Sequence, residues 1–209
     1  MDQYPVLGPA DFTEAACEAR IVRSVQKLAT AMKSWQVSPW CAAGLCALPI
    51  HSTNAAVDGL VADAWGIKTA TNMAESSVLA LRGLGVKKVS LVVSGSSADA
   101  EPLVSYLQAH LVDVVSVAAL GLPEDRLLGQ VEPAAMMNAC IAAISKSEDA
   151  DALLVASCSM CPVQRGFMDK LEAAASRPVV VSQLALVWDM LRRASIAEHV
   201  TGFGKLFSI

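Results

Sequence analysis

The chain has 209 residues, 54% of them hydrophobic and 17% charged, with a net charge of −4. That apolar content builds a real core and excludes a disordered chain, while the acidic balance and the 5% aromatics leave no footprint for nucleic acid. Mean hydropathy is high at +0.46, yet the most apolar runs, Val112–Gly121 and Ala152–Cys158, fall well short of the ~18 residues that a membrane span requires.

The opening stretch MDQYPVLGPADF has no basic segment leading into an apolar run, so no secretory signal is expected. The six cysteines, Cys17, Cys41, Cys46, Cys140, Cys158 and Cys161, are then expected as thiols in the cytoplasm. Three scattered histidines do not make a zinc site, and no metal is expected.

In chain order, Thr13–Lys33 reads as a helix capped by Asp11 or Thr13. Trp35–Ala56 has no clean period, and a strand is expected near Val37–Ala43. Ser76–Leu84 reads as a helix stopped by Gly85. Four continuous apolar runs follow, at Val89–Ser94, Val112–Leu120, Ala152–Ala156 and Pro178–Ser182. Continuous rather than alternating runs predict strands buried on both faces of a parallel sheet. Helical stretches separate them at Ala98–His110, Pro133–Lys146 and Pro162–Ala175, and Leu184–Ala194 closes the series. Strand alternating with helix defines an α/β fold.

A faint internal repeat runs through the chain. Lys33-Ser34 precedes Cys46 as Lys146-Ser147 precedes Cys158. Farther on, Thr71-Asn72-Met73-Ala74 matches Ser182-Gln183-Leu184-Ala185, each ahead of a helix. Two related lobes would produce this echo, and so would coincidence in an alanine-rich chain.

The sharpest local feature is the run from Leu153 to Pro162, where a buried strand leads into Cys158 and a helix is expected to start at Pro162. Open α/β sheets bind ligands beyond the carboxyl ends of their strands, and a helix amino terminus there favours anions and thiolates. Cys158 is therefore a candidate reactive thiolate beside a carboxylate site. The competing reading is a buried structural cysteine. Cys158 and Cys161 also form a Cys-x-x-Cys, which admits a redox dithiol or half a metal site, but no second such pair exists. Cys161 is more simply a packing residue of the helix's first turn.

Several segments carry a resemblance. Ser76–Val89, Asp151–Ser159, Pro178–Gln183 with Ala185 and Trp188, and Gly202-Phe203-Gly204-Lys205-Leu206-Phe207 together resemble the aspartate/glutamate racemase superfamily. The likeness is to its branch of maleate cis-trans isomerases and arylmalonate decarboxylases. It implies two pseudo-symmetric Rossmann-like lobes with parallel sheets and an active site in the cleft between them. One lobe would comprise residues 1–85 plus 184–209, the other 86–183. It implies no cofactor, and a small carboxylic or dicarboxylic acid as substrate. The acid is held by backbone N–H and hydroxyl groups that stabilise an enediolate-like state. A cysteine from each lobe, or from one alone, moves the proton or adds to the substrate. On this pattern Cys158 is catalytic, Cys46 is its partner with Cys41 as rival, and Ser159, Ser94, Gly95, Ser96, Asn72 and Gln183 bind substrate.

The departures from the pattern fall at the site. The family's opening Gly-rich strand has only Tyr4–Pro9 as counterpart; an incomplete sheet would leave an edge to pair, so a homo-oligomer is a further expectation. Cys46 is followed by Ala47-Leu48-Pro49 rather than by hydroxyl residues, although Ser52, Thr53 and Asn54 lie close behind. Ser94-Gly95-Ser96-Ser97 replaces the tyrosine that the branch presents to the carboxylate. Three functions remain open on these grounds: dicarboxylate isomerase, decarboxylase or racemase on a related acid, and a catalytically impaired protein that binds carboxylates. His51, His110, His199, Asp99 and Glu101 read as loop or solvated-face residues, and Trp188 as core.

Overall fold

The structure, a computed structural model, describes residues 43–45, 70–122, 127, 130–156 and 164–209. The chain divides into two compact units, Met1–Ala43 with Ile50–Ala70, and Gly44–Pro49 with Thr71–Ile209. The expected helix Thr13–Lys33 lies outside the described residues, as does the expected strand near Val37–Ala43 except for Ala43 itself. That residue opens strand β1, Ala43–Leu45, which forms a two-stranded sheet with β2, Ala70–Asn72.

Helix α1, Met73–Gly83, begins three residues earlier than the apolar pattern predicts, because Asn72 caps it. The Asn72 Oδ1 accepts the Glu75 N–H at 2.9 Å. The chain then runs through β3 (Lys88–Val93), α2 (Glu101–Ala109, led in by a 3₁₀ turn at Ser97–Ala100), β4 (Asp113–Ala119), α3 (Pro133–Ser145), β5 (Ala152–Ala156), α4 (Phe167–Ala175), β6 (Val179–Val181) and α5 (Ser182–Arg193).

The four later strands form one parallel sheet in the order β4-β3-β5-β6. From β3 the chain steps outward to β4, then crosses back to place β5 on the other side of β3. With right-handed crossovers, that reversal puts α2 on one face of the sheet and α3 and α4 on the other. The packing agrees: α3 lies against α4, while α1 lies against α5 and touches α2. Every residue of β5 is buried, as are Val89, Leu91, Val92 and Val93 of β3 and all of β6. Those runs are continuous because both faces are covered.

Strand β4 departs from that expectation. It sits at the sheet edge, and its residues alternate between exposed and half-buried, with Val115 and Val117 each 40% exposed. Its pairing with β3 skips Val115: Val89 faces Val114 and Ser90 faces Ser116. A bulge of this kind twists an edge strand and blunts it against further pairing. Ser90, buried in β3, bonds the Ser116 hydroxyl at 2.8 Å, and Ser116 meets Ser147 beyond α3.

The second departure concerns α4. The expected start at Pro162 lies outside the described residues, but Gln164 is not helical, Arg165 and Gly166 form a turn, and the helix begins only at Phe167. Gly166 adopts φ +86°, a left-handed conformation that blocks continuation of a helix from Pro162, and its N–H is drawn to the Gly202 carbonyl at 2.6 Å.

The carboxyl-terminal Gly-Phe-Gly-Lys-Leu-Phe segment is a clamp on α4. Asp169 accepts the Gly204 N–H at 2.9 Å, and Glu172 accepts the Lys205 N–H at 2.8 Å and the Val179 N–H at 2.9 Å. Gly204 has φ +83°, and a Cβ there would meet the Glu172 carboxylate at 3.2 Å. Leu206 and Phe207 then enter the core.

Asp151 ties the start of β3 to β5. One carboxylate oxygen accepts the N–H groups of Lys87 at 3.0 Å and Lys88 at 2.9 Å. These backbone bonds, Lys87's first, hold its pKa below the ordinary aspartate value. A carboxylate whose folded pKa is depressed stabilises the fold above the unfolded pKa and loses that contribution as pH falls through the folded value. Asp151 is exposed, so Asp151→Ala is expected to cost only a few tenths to about 1 kcal/mol at pH 7. Urea titrations across pH should show this difference closing in acid, below the ordinary aspartate range. A difference unchanged at low pH would refute the account.

Candidate functional site

Four parallel strands present their carboxyl ends on one edge. Register fixes this: Val93 pairs with both Ala119 and Ala156, and Val155 pairs with Val181. The residues that follow those ends are Ser94-Gly95-Ser96 after β3, Leu120-Gly121-Leu122 after β4, Ser157-Cys158-Ser159 after β5 and Ser182-Gln183 after β6. The strand order reverses between β3 and β5. A crevice forms at such a switch point because the loops of the two adjoining strands depart to opposite faces, and ligands bind there. The serine loop and the strand leading to Cys158 are the two that flank it.

The serine loop is held from the β4 side. Leu120, Gly121 and Leu122 donate their N–H groups to the carbonyls of Val93, Gly95 and Ser94 at 2.9–3.0 Å. Ser94 and Gly95 are half-buried and Ser96 is exposed. Those carbonyls are thus engaged away from β5, a geometry suited to a loop that offers donors rather than acceptors to an anion.

The echoed tetrapeptides occupy equivalent places. Asn72 ends β2 and caps α1, while Gln183 is the second residue of α5 after β6. Asn72 is 1% exposed and its Oδ1 is committed to the Glu75 N–H. Gln183 is half-buried, and its Oε1 is buried with no hydrogen-bond partner among the described residues. An orphaned acceptor of that kind is costly to a fold and calls for an explanation; a ligand donor beside it would supply one.

Beneath these two residues lies a polar network that the sequence reading missed. Asp189, 4% exposed on α5, accepts the Thr71 hydroxyl at 2.6 Å and the Ser76 hydroxyl at 2.9 Å on one oxygen. Its other oxygen accepts Arg193 Nε at 3.0 Å. Arg193 also donates to Glu75 at 2.8 Å. Burial alone would lower the Arg193 pKa, but the bonds and charges of Asp189 and Glu75 outweigh it and raise the value. Nearby, the Ser77 and Ser182 hydroxyls are hydrogen-bonded at 3.0 Å, and Ser77 also bonds the Met73 carbonyl. The signal in the sequence was Asp189 itself, a charge in register with Ala185 on the buried stripe of α5, four residues before Arg193.

The remaining site residues named from sequence, Cys158, Cys46 and Ser159, lie outside the described residues, as do Cys41, Cys161, His51, Ser52, Thr53 and Asn54. Cys46 does stand next in sequence after β1, as Ser157-Cys158 stands after β5. Trp188 packs half-buried against the core beneath the Arg192 guanidinium. His110 ends α2 with Nδ1 on the Tyr106 carbonyl, and His199 is exposed. Among the described residues no group of His, Cys, Asp and Glu is placed to hold a metal ion, and no helix is long and apolar enough to cross a membrane.

Cys140, on α3, is fully buried, and desolvation pushes its thiol up to about 12. It carries no thiolate near neutrality and has no access to reagents. Iodoacetamide on the folded protein at pH 8, mapped by peptide mass spectrometry, is expected to leave Cys140 unmodified until denaturant is added. Modification at the rate of a free thiol would contradict its placement.

A doubly wound parallel sheet with the serine loop and Gln183 at the carboxyl ends of its strands defines an α/β protein with a strand-end site. A family model for arylmalonate decarboxylase matches residues 49–207, about three quarters of the chain. The chain belongs to the arylmalonate decarboxylase family, and the resemblance read from sequence is borne out. It is 26% identical to an arylmalonate decarboxylase of Bordetella bronchiseptica over 155 residues, 74% of this chain and 63% of that protein. It is 22% identical to a maleate isomerase of Geobacillus stearothermophilus over 161 residues, 76% of this chain and 62% of that protein. The chain thus spans less than two thirds of the length of these relatives. Among solved structures it is similar to a maleate isomerase from Pseudomonas putida S16 with maleate, at a TM-score of 0.77 and 20% identity, covering 93% of this chain and 77% of that one. That likeness bears out the α/β fold with its parallel sheet.

Proposed function

We propose that this protein is a cofactor-independent, cysteine-dependent enzyme that isomerises a small unsaturated dicarboxylate. Cys158 and Cys46 would act as the reacting thiols. The observation that carries this reading is the placement of a cysteine after a strand twice in the chain: Cys46 directly after β1 and Cys158 two residues past β5. Two thiols so placed suit chemistry that uses two cysteines better than chemistry that uses one. The same observation favours Cys46 over Cys41, which precedes β1.

In this reading the Cys158 thiolate adds to an alkene carbon, and the Cys46 thiol hands a proton to the adjacent α-carbon and takes it back before the C–S bond breaks. A C–S bond forms, and the π pair moves toward the neighbouring carboxylate as an enediolate. Donors from Ser94, Gly95, Ser96 and Ser159, with the amides of Asn72 and Gln183, hold the carboxylates and stabilise that charge. The former double bond is now single and rotates. The pair returns, the C–S bond breaks and the trans acid leaves.

A second reading is decarboxylation with Cys158 as the sole proton donor to the enediolate. The family match and the higher identity to the decarboxylase favour it. Proton NMR in heavy water with maleate and phenylmalonate separates the two. Fumarate supports isomerisation; phenylacetate carrying deuterium at its α-carbon supports decarboxylation. Unchanged substrates, with maleate nonetheless raising the Tm of the folded protein, would replace both readings with a carboxylate-binding protein.

A further inference from the structure

We propose that Asp189 is a positioning residue whose buried carboxylate locks the β2–α1 junction bearing Asn72 against the β6–α5 junction bearing Gln183. This rests on the reading that those two residues orient substrate.

The connections run to Asn72 from both sides. On one side, Thr71, its neighbour in β2, is held to Asp189 at 2.6 Å. On the other, Asp189 holds Arg193, Arg193 holds the Glu75 side chain, and the Glu75 N–H holds the Asn72 carbonyl oxygen. Both of these connections to Asn72 lead back to α5, the helix that opens with Ser182-Gln183. The Ser77–Ser182 bond makes a second tie at the other junction. The echo acquires a physical form here: each echoed hydroxyl at a strand-to-helix junction, Thr71 or Ser182, bonds the helix of the other junction.

Apolar side chains would hold α1 against α5 with less desolvation cost than a buried carboxylate and guanidinium. What an ionic, directional cluster adds is register. Leucines tolerate a small slide or rotation between helices, whereas three donors converging on one carboxylate do not. A displacement of about 1 Å in a substrate-orienting group costs on the order of 100-fold in turnover, so register at Asn72 and Gln183 matters more than stability does.

The test compares wild type with Asp189→Asn, which keeps shape and an acceptor but removes the charge opposite Arg193. Glu75→Gln, at the more exposed end of the cluster, serves as a milder second variant should Asp189→Asn fold poorly. Turnover of maleate and phenylmalonate is followed by NMR, and amide hydrogen exchange by mass spectrometry. The expected result is kcat lower by at least ~10-fold, and by up to the ~100-fold cost of misplacement, with KM changed far less. Exchange should quicken across residues 70–76 and 182–186 and stay unchanged in β5. Wild-type kcat in folded Asp189→Asn overturns the proposal, as does a loss that only tracks the unfolded fraction. Should wild type turn over neither acid, the catalytic reading fails separately. Exchange then decides alone: local quickening at both junctions supports the lock, and unchanged exchange overturns it.

Discussion

Cys158→Ala is expected to lower turnover by on the order of 1000-fold or more, whichever acid is the substrate, while leaving the free energy of unfolding within about 1 kcal/mol of wild type. β5 is the strand beside the switch point, buried along its whole length and flanked by β3 and β6. A group two residues past its end follows a fully buried strand, and a reacting atom gains from such preorganisation. In either proposed reaction this thiol makes or breaks a bond to the substrate, so no neighbouring group can stand in for it. Cys46→Ala then distinguishes the chemistries. It should abolish isomerisation, which engages both thiols, and leave decarboxylation largely intact. NMR of both variants with maleate and phenylmalonate checks this. Full activity in Cys158→Ala would remove Cys158 from the mechanism and shift the candidate centre to Cys46 and the serine loop.

Much of the fold could be read from the chain because β3, β5 and β6 are covered on both faces, and complete burial writes itself as an unbroken apolar run. β4 shows the limit of that signal. Its run is as apolar as the others, yet it is an edge strand, and edge position is decided by strand order rather than by local composition. The start of α4 was misplaced for a related reason. Proline commonly opens a helix, but the carbonyl of Gly202 engages Gly166 and its neighbours turn there, a contact between segments 36 residues apart that no local pattern encodes. The start of α1, placed at Ser76 from the apolar pattern, had a local signal that pattern does not register: Asn72-x-x-Glu75 has the spacing of a capping box. Here Glu75 sends its side chain to Arg193 instead of back to the cap.

The candidate site divides along the same line. Ser94–Ser96 and Gln183 were found because they follow strands, and strand ends are visible in the sequence. The Asp189 cluster was not, since its bonds to Thr71 and Ser76 join residues 118 and 113 positions apart. A lone aspartate on an apolar stripe signals that a partner exists, without saying which. The serine chain from Ser90 through Ser116 to Ser147 is invisible for the same reason, because each hydroxyl is unremarkable until the strands are paired.

Asp189→Ala is expected to destabilise the fold by about 3 kcal/mol, among the largest single losses available here. Removing one member of a buried ion pair leaves the other uncompensated, at a cost of roughly 3–5 kcal/mol. Arg193 retains some contact with water, its side chain being 23% exposed, and keeps Glu75 as a partner, which puts the loss at the lower end. Thr71 and Ser76 lose their acceptor, and their hydroxyls stay buried. Replacing the whole cluster should behave differently. With Asp189→Leu, Arg193→Met, Thr71→Val and Ser76→Ala together, no buried member of the cluster is orphaned, Glu75 at 38% exposure can turn to water, and most of the lost stability should return, to within about 1 kcal/mol of wild type. Urea unfolding at a shared m-value measures both. A loss under about 1 kcal/mol in the single variant would mean the carboxylate is not buried as described. If the fourfold variant recovers its stability while substrate turnover stays low, the cluster is present for the placement of Asn72 and Gln183, and its contribution to holding the helices together can be supplied by apolar side chains alone.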